Sequence, residues 1–239
     1  MERKTYVILK SFYYICLNNV LPLIIMDLTI ANNSPYSASF TSASLMQDEM
    51  NALLPYLLKD CSSEMVKSIE NRVDILPIHS ASARERVTLE MVKRFKTMAP
   101  AFWVDYQVFP GPQQKLALFY VILKTYRLLY EFQINVAVKR FNSANNTLRA
   151  DDLWMEFYDI ASRDASVDGW TVKTKRKAIG VYLTMLRQTG LLDSETDRLQ
   201  RIDIAQEAYI PFVQLGELWF LQACFLPQYE IENIKSAAL

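Results

Sequence analysis

The sequence predicts an all-α globular protein with two helix-turn-helix-like elements, the second in a winged variant, around a long buried central helix. Three observations point there. Hydrophobic residues make up 51% of the 239 positions and aromatics 12%, enough to bury a core. Only five glycines are present, scattered singly through the chain. Apolar residues recur at helical rather than alternating spacing in most segments.

The elements follow in order. Leu45, Met46, Leu53, Leu54, Leu57 and Leu58 suggest a helix over about 42–59, and Ser62 or Ser63 caps a second through Asn71. Asp74 to His79 is a connection containing Pro77. Ser82 and Glu85 have the spacing of a capping box, which starts a helix at Ser82 that runs to about Met98, ahead of Pro100. Pro110, Gly111 and Pro112 mark a domain boundary or an inter-helix turn. Gln113 to Phe141 has no glycine or proline and is apolar on most sides, the mark of a buried helix. Its aromatics Phe119, Tyr120, Tyr126, Tyr130 and Phe132 are read as packing rather than as a platform for bases. Asn142 to Arg149 is a polar loop. Asp151 or Asp152 caps a helix to about Ala161, Ser166 to Gly169 is a turn, and Thr171 to Thr189 is a helix stopped by Gly190. A Ser194 to Asp197 capping pattern and Asp203 begin an acidic helical tail; short strands find room only near Leu191 or Ala208 to Phe212. Three segments result: an N-terminal extension 1–35, a helical domain 36–110, and a second helical domain 111–239.

Residues 1–26 open with Arg3 and Lys4 and continue into an apolar run broken by Lys10, Asn18, Asn19 and Pro22. A membrane-spanning helix needs roughly 20 predominantly apolar residues, and no small-residue cleavage site follows closely. Signal sequence and anchor stay open beside the favoured reading, in which Met26 is the initiator and the preceding residues are upstream sequence.

Composition excludes several activities. Twenty-six Lys and Arg balance 26 Asp and Glu, so any nucleic-acid binding must come from segregated charge. The glycines are too dispersed for a phosphate-cradling loop. Cys16, Cys61 and Cys224 form no C-x-x-C pair and His79 is the single histidine, which argues against a zinc site, a catalytic triad and a disulfide framework. The cysteines are read as small buried residues of a reducing cytoplasm. The expectation is a non-enzyme without cofactor or metal.

Charge does segregate. Lys173, Lys175, Arg176, Lys177 and Arg187 lie between Thr171 and Gly190 without one acidic residue. At ~100° per residue, Val172, Ile179, Tyr182, Leu183 and Leu186 share one side and Lys173, Arg176, Lys177, Gly180, Thr184 and Arg187 the other. An apolar seam behind a basic face suits a helix lying in a duplex groove. Gly180 would let a backbone approach closely, although it costs about 1 kcal/mol of helix propensity. A solvated cationic face is the bland alternative. A weaker version runs from Ser82 to Met98, with a seam of Val87, Met91, Phe95 and Met98. Arg86, Lys93 and Lys96 lie opposite, and Arg84 and Arg94 near the edges. Residues 193–239 carry eight acids against three bases, so the chain is polarised.

These features together resemble the BrxA family, core proteins of bacteriophage-exclusion (BREX) systems. The resemblance rests on Tyr36-Ser37-Ala38-Ser39-Phe40-Thr41-Ser42 and the following leucine-rich helix to Leu53-Leu54-Pro55. Arg84 to Phe95, the apolar run Gln114 to Phe132, and Leu183 to Leu192 complete it. It implies an all-helical protein with helix-turn-helix elements beside positive surfaces, able to bind DNA and without known enzymatic activity. His79 and Ala81 to Arg84 depart from the more basic lead-in expected of the first element. The leading expectation is a cytoplasmic, monomeric accessory protein. It would bind double-stranded DNA through Arg84, Arg86, Lys93, Lys173, Arg176, Lys177, Thr184 and Arg187, beside other BREX subunits and away from membranes. The alternative is an interaction scaffold that docks other subunits without touching DNA.

Overall fold

The computed structural model describes residues 34–238; Cys16 and the readings of residues 1–26 lie outside the described residues. The fold is all-α, and among the described residues the only β features are two isolated bridges.

After a 3-10 turn, Ser39–Ser42, come α1 (Gln47–Leu57), α2 (Ser63–Glu70), α3 (Ala81–Thr97), α4 (Pro100–Val108) and α5 (Gly111–Thr125). Ser62 caps α2, its hydroxyl accepting from the Met65 N–H at 3.2 Å. The Ser82 capping box does not form: Ser80 is the N-cap of α3, and its hydroxyl lies against that of Ser82. Pro110 is the N-cap of α5, so the Pro-Gly-Pro punctuation is an inter-helix turn. Helix α4 has no counterpart in the sequence reading. Its nine residues hold Phe102, Trp103 and Tyr106 in the core but leave Val104 and Val108 exposed, which blurs the periodicity.

The expected long central helix is divided. Helix α5 is buried from Leu116 to Leu123 and touches α1, α3, α4 and the later basic helix. It ends where Tyr126 turns to extended backbone (φ −126°, ψ 104°). Side-chain contacts pin this residue. Its hydroxyl donates to Glu90 Oε2 at 2.6 Å, its ring meets Phe40 edge-on at 5.1 Å, and Lys93 Nζ sits 4.2 Å above the ring. The chain resumes as α6 (Arg127–Glu131), a π-helical stretch (Phe132–Ala137) and α7 (Val138–Phe141). Inserting a residue into a helix in this way is uncommon. Here it brings buried Gln133 to accept from the Tyr182 hydroxyl at 2.6 Å and donate to the Ala223 carbonyl.

Helices α8 (Ala150–Arg163), α9 (Ala165–Asp168) and α10 (Val172–Thr189) follow, then a 3-10 turn (Gln206–Tyr209), α11 (Ile210–Gln214), α12 (Leu218–Ala223) and α13 (Gln228–Ala238). The Ser194 to Asp197 segment caps no helix. Asp193 Oδ1 accepts from the Glu195 and Thr196 N–H groups, Asp197 takes a left-handed conformation (φ 53°), and Leu192 bridges Leu199. This minimal hairpin is extended by a bridge from Thr147 to Arg198. Asp203 caps nothing either, since Ala205 is the N-cap of the next turn, and Ala208 to Phe212 is helical rather than extended. Cys224 is fully buried and Cys61 half-buried.

Candidate nucleic-acid interface

Helix α10 starts with the Thr171 hydroxyl accepting from the Thr174 N–H at 3.1 Å and stops at Gly190 in the left-handed region (φ 84°). Glycine fits that C-terminal position because it has no Cβ to strain. Ala178, Ile179, Tyr182, Met185 and Leu186 are buried against the core, and Leu183 is half-buried. Val172 was expected on that seam but is exposed, because it lies in the first turn beyond the core's edge.

On the opposite face Lys173, Arg176, Lys177, Gly180 and Thr184 are all exposed. Among the described residues, no carboxylate pairs with Lys173, Arg176 or Lys177 within 4.0 Å. The remaining polar groups of the helix are engaged. Lys175 donates to the Asp168 carbonyl at 3.2 Å, the Thr184 hydroxyl to the Gly180 carbonyl at 2.9 Å, and Arg187 to Asp197 Oδ1 at 2.6 Å. Arg187 therefore ties the hairpin to the end of α10. Ahead of α10, the connection from α8 is filled by the single turn of α9, whose N-cap Asp164 accepts from the Val167 N–H at 3.0 Å.

The weaker basic helix, α3, is divided by burial. Arg86, Lys93 and Lys96 face outward. Arg84, expected near the edge of the basic face, is 5% exposed and donates to the Glu70, Ile78 and His79 carbonyls, an arrangement that leaves it no phosphate to reach. Arg94 is fully buried. Its Nε donates to Glu90 Oε1 at 2.7 Å, and its terminal nitrogens donate to the carbonyls of Leu45 at 2.8 Å and Ser44 at 2.9 Å. Lys93 donates to the Ser39 hydroxyl at 3.1 Å over the Tyr126 ring, and loss of water there holds its ammonium below the usual lysine range.

The structure brings the two basic helices together through the N-terminal segment. Arg94 grips that segment from α3, and from α10 Gln188 Oε1 accepts the Leu45 N–H at 3.0 Å. A cleft of ≈ 390 Å³ results, lined by Thr41, Ser42 and Ala43 of the segment, Ala83, Arg86, Val87 and Glu90 of α3, and Lys177 of α10. No sequence signal links Arg86 with Lys177.

The arrangement defines an all-α protein in which two helices flank one cleft with cations that, among the described residues, pair with no carboxylate. The chain belongs to the BrxA family, whose profile matches residues 34–209, and this membership connects it to BREX phage defence. The fold is similar to that of an uncharacterized protein from Magnetospirillum magneticum. That likeness has a TM-score of 0.68 at 22% identity and covers 80% of this chain and 98% of the other. No curated protein matches the sequence. Among the described residues no helix is long and apolar enough to cross a membrane, and no group of three or more His, Cys, Asp or Glu could hold a metal ion.

Proposed function

We propose that this protein is a non-catalytic DNA-binding subunit of a BREX system that places α10 against the phosphates of duplex DNA. The observation that carries this reading is the set Lys173, Arg176 and Lys177, exposed together on one capped helix and unpaired with any carboxylate among the described residues. Helices α8, α9 and α10 with the 191–200 hairpin then act as a winged helix-turn-helix-like unit. The hairpin's Asp193, Glu195 and Asp197 suit it to bracing α10 through Arg187, not to lying on phosphates.

The test is a salt series of duplex binding by the native protein and by a Lys173→Glu, Arg176→Glu, Lys177→Glu variant. Each neutralised phosphate contributes about 0.9 to the slope of log affinity against log salt. Reversal of three contacts should flatten the slope by roughly 3 and abolish binding at moderate salt. A folded native protein that ignores DNA at low salt overturns the reading.

Gly180 supplies a second check. A Cβ there would meet nothing within 4 Å, so packing inside the chain does not require glycine. Gly180→Ala should stabilise the helix by about 1 kcal/mol, raising Tm by about 2–4 °C. If a nucleic-acid backbone approaches this face, the same variant binds duplex less tightly. Unchanged binding with raised Tm would remove Gly180 from the interface.

Exposed apolar residues favour a second reading, a scaffold docking other subunits: Val104 and Val108 on α4, and Met155 and Tyr158 on α8. Partner capture insensitive to salt, without duplex binding, would support it.

A further inference from the structure

We infer that the cleft between α3 and α10 is a single phosphate-binding site, in which Arg86 and Lys177 hold one backbone phosphate between them. The inference rests on the DNA-binding reading and adds that both basic helices meet the same stretch of duplex. Four features of the cleft carry it.

Two cations from separate helices line one cleft, and among the described residues neither has a carboxylate within 4.0 Å. Like charges facing a shared gap repel, and an anion between them removes the repulsion and gains two charge-assisted hydrogen bonds. The Thr41 hydroxyl, also on the lining, makes no hydrogen bond among the described residues and can donate a third. Ala43, Ala83 and Val87 supply apolar wall, which reduces competing water and strengthens these contacts.

Among the described residues Glu90 is the one carboxylate on the lining and would repel a phosphate. Both its oxygens are occupied, one by Arg94 Nε at 2.7 Å and the other by the Tyr126 hydroxyl at 2.6 Å. The fully buried Arg94 offsets its charge, so the field in the cleft is set by Arg86 and Lys177.

The experiment is a double-mutant cycle on the full chain, read as duplex-DNA affinity over a salt series with thermal melts confirming folding. Arg86→Ala and Lys177→Ala should each weaken binding about tenfold. The double variant should fall short of the product of the two by roughly tenfold. Its salt slope should drop by about 0.9, the value for one phosphate, rather than by about 1.8. Lys96→Ala is the control. Lys96 lies on α3 ten residues from Arg86, roughly 15 Å along the helix and beyond the screening length of about 8 Å at physiological salt, so it should combine additively with Lys177→Ala. Additive losses with a slope change near 1.8 would show two separate phosphates and overturn the inference while leaving the DNA-binding reading standing. Loss at Lys177 with none at Arg86 would do the same. No duplex binding by the native protein would overturn both.

Discussion

Arg94→Ala is expected to destabilise the protein by about 3–5 kcal/mol, the range for breaking one side of a buried ion pair. Its guanidinium is fully buried and joins the Glu90 carboxylate to the carbonyls of Ala43, Ser44 and Leu45. Truncation leaves Glu90, 8% exposed, with a charge that among the described residues only the Tyr126 hydroxyl still contacts, and leaves those carbonyls short of donors. The penalty arises chiefly from the stranded carboxylate, because replacing both members of a buried pair by apolar groups is often nearly neutral. Glu90→Gln combined with Arg94→Met should therefore recover a substantial part of the loss. Urea unfolding of the singles and the double measures this directly. A single-variant cost below about 1 kcal/mol, the scale of an ordinary hydrogen bond, would contradict the role assigned to Arg94.

Alkaline pH should unfold the protein steeply. Tyr106, Tyr120, Tyr126, Tyr182 and Tyr209 are at most 3% exposed, and burial pushes each phenol well above its ordinary value of 10.0. Tyr36 is pushed up to about 12 by burial first and then by its hydrogen bond to Glu131. The folded state keeps these protons while the unfolded chain releases them near pH 10. Their stabilisation is thus fully present below pH 10 and is lost as pH rises from there toward the folded values. Each phenol accounts for about 1.4 kcal/mol per pH unit in that window. Five acting together remove on the order of 7 kcal/mol per unit, comparable with the whole stability of a typical domain. Phenolate absorbance and helical circular dichroism should change in one transition within about a unit above pH 10. Gradual titration of the phenols with helicity intact to pH 12 would show that they are more accessible than the fold implies.

Helix α10 was legible in the sequence because its apolar seam, basic face and terminal glycine all reported on the same segment, whereas the capping role of Thr171 came only from the structure. Helix α3 was legible as a helix but not in the roles of its arginines. A helical wheel places Arg84 and Arg94 by angle alone, whereas the carbonyls that draw Arg94 inward come from residues 49 to 51 positions earlier. The break at Tyr126 left no trace, since no glycine or proline marks it and its causes are contacts with Phe40, Glu90 and Lys93. The short extended stretch expected near Leu191 corresponds to the hairpin after α10. Beyond it the Ser194 to Asp197 spacing reads as a helix start but belongs to a turn closed by Asp193, because a turn and an N-cap use the same short side-chain-to-backbone bonds. The cleft could not be read at all, since it depends on the N-terminal segment lodging between two helices distant in the chain.

That lodging has a kinetic consequence. The Leu45 N–H meets Gln188 across a separation of 143 residues, and its carbonyl meets Arg94 across 49. Contacts between such distant parts of a chain form only after large loops have closed, and folding slows as they come to dominate. Helices α3 and α10 can each form from local interactions, but the gap between Arg86 and Lys177 takes shape when the ends of this long circuit meet. The order of assembly thus makes the two-helix cleft one of the last features to mature as the chain folds.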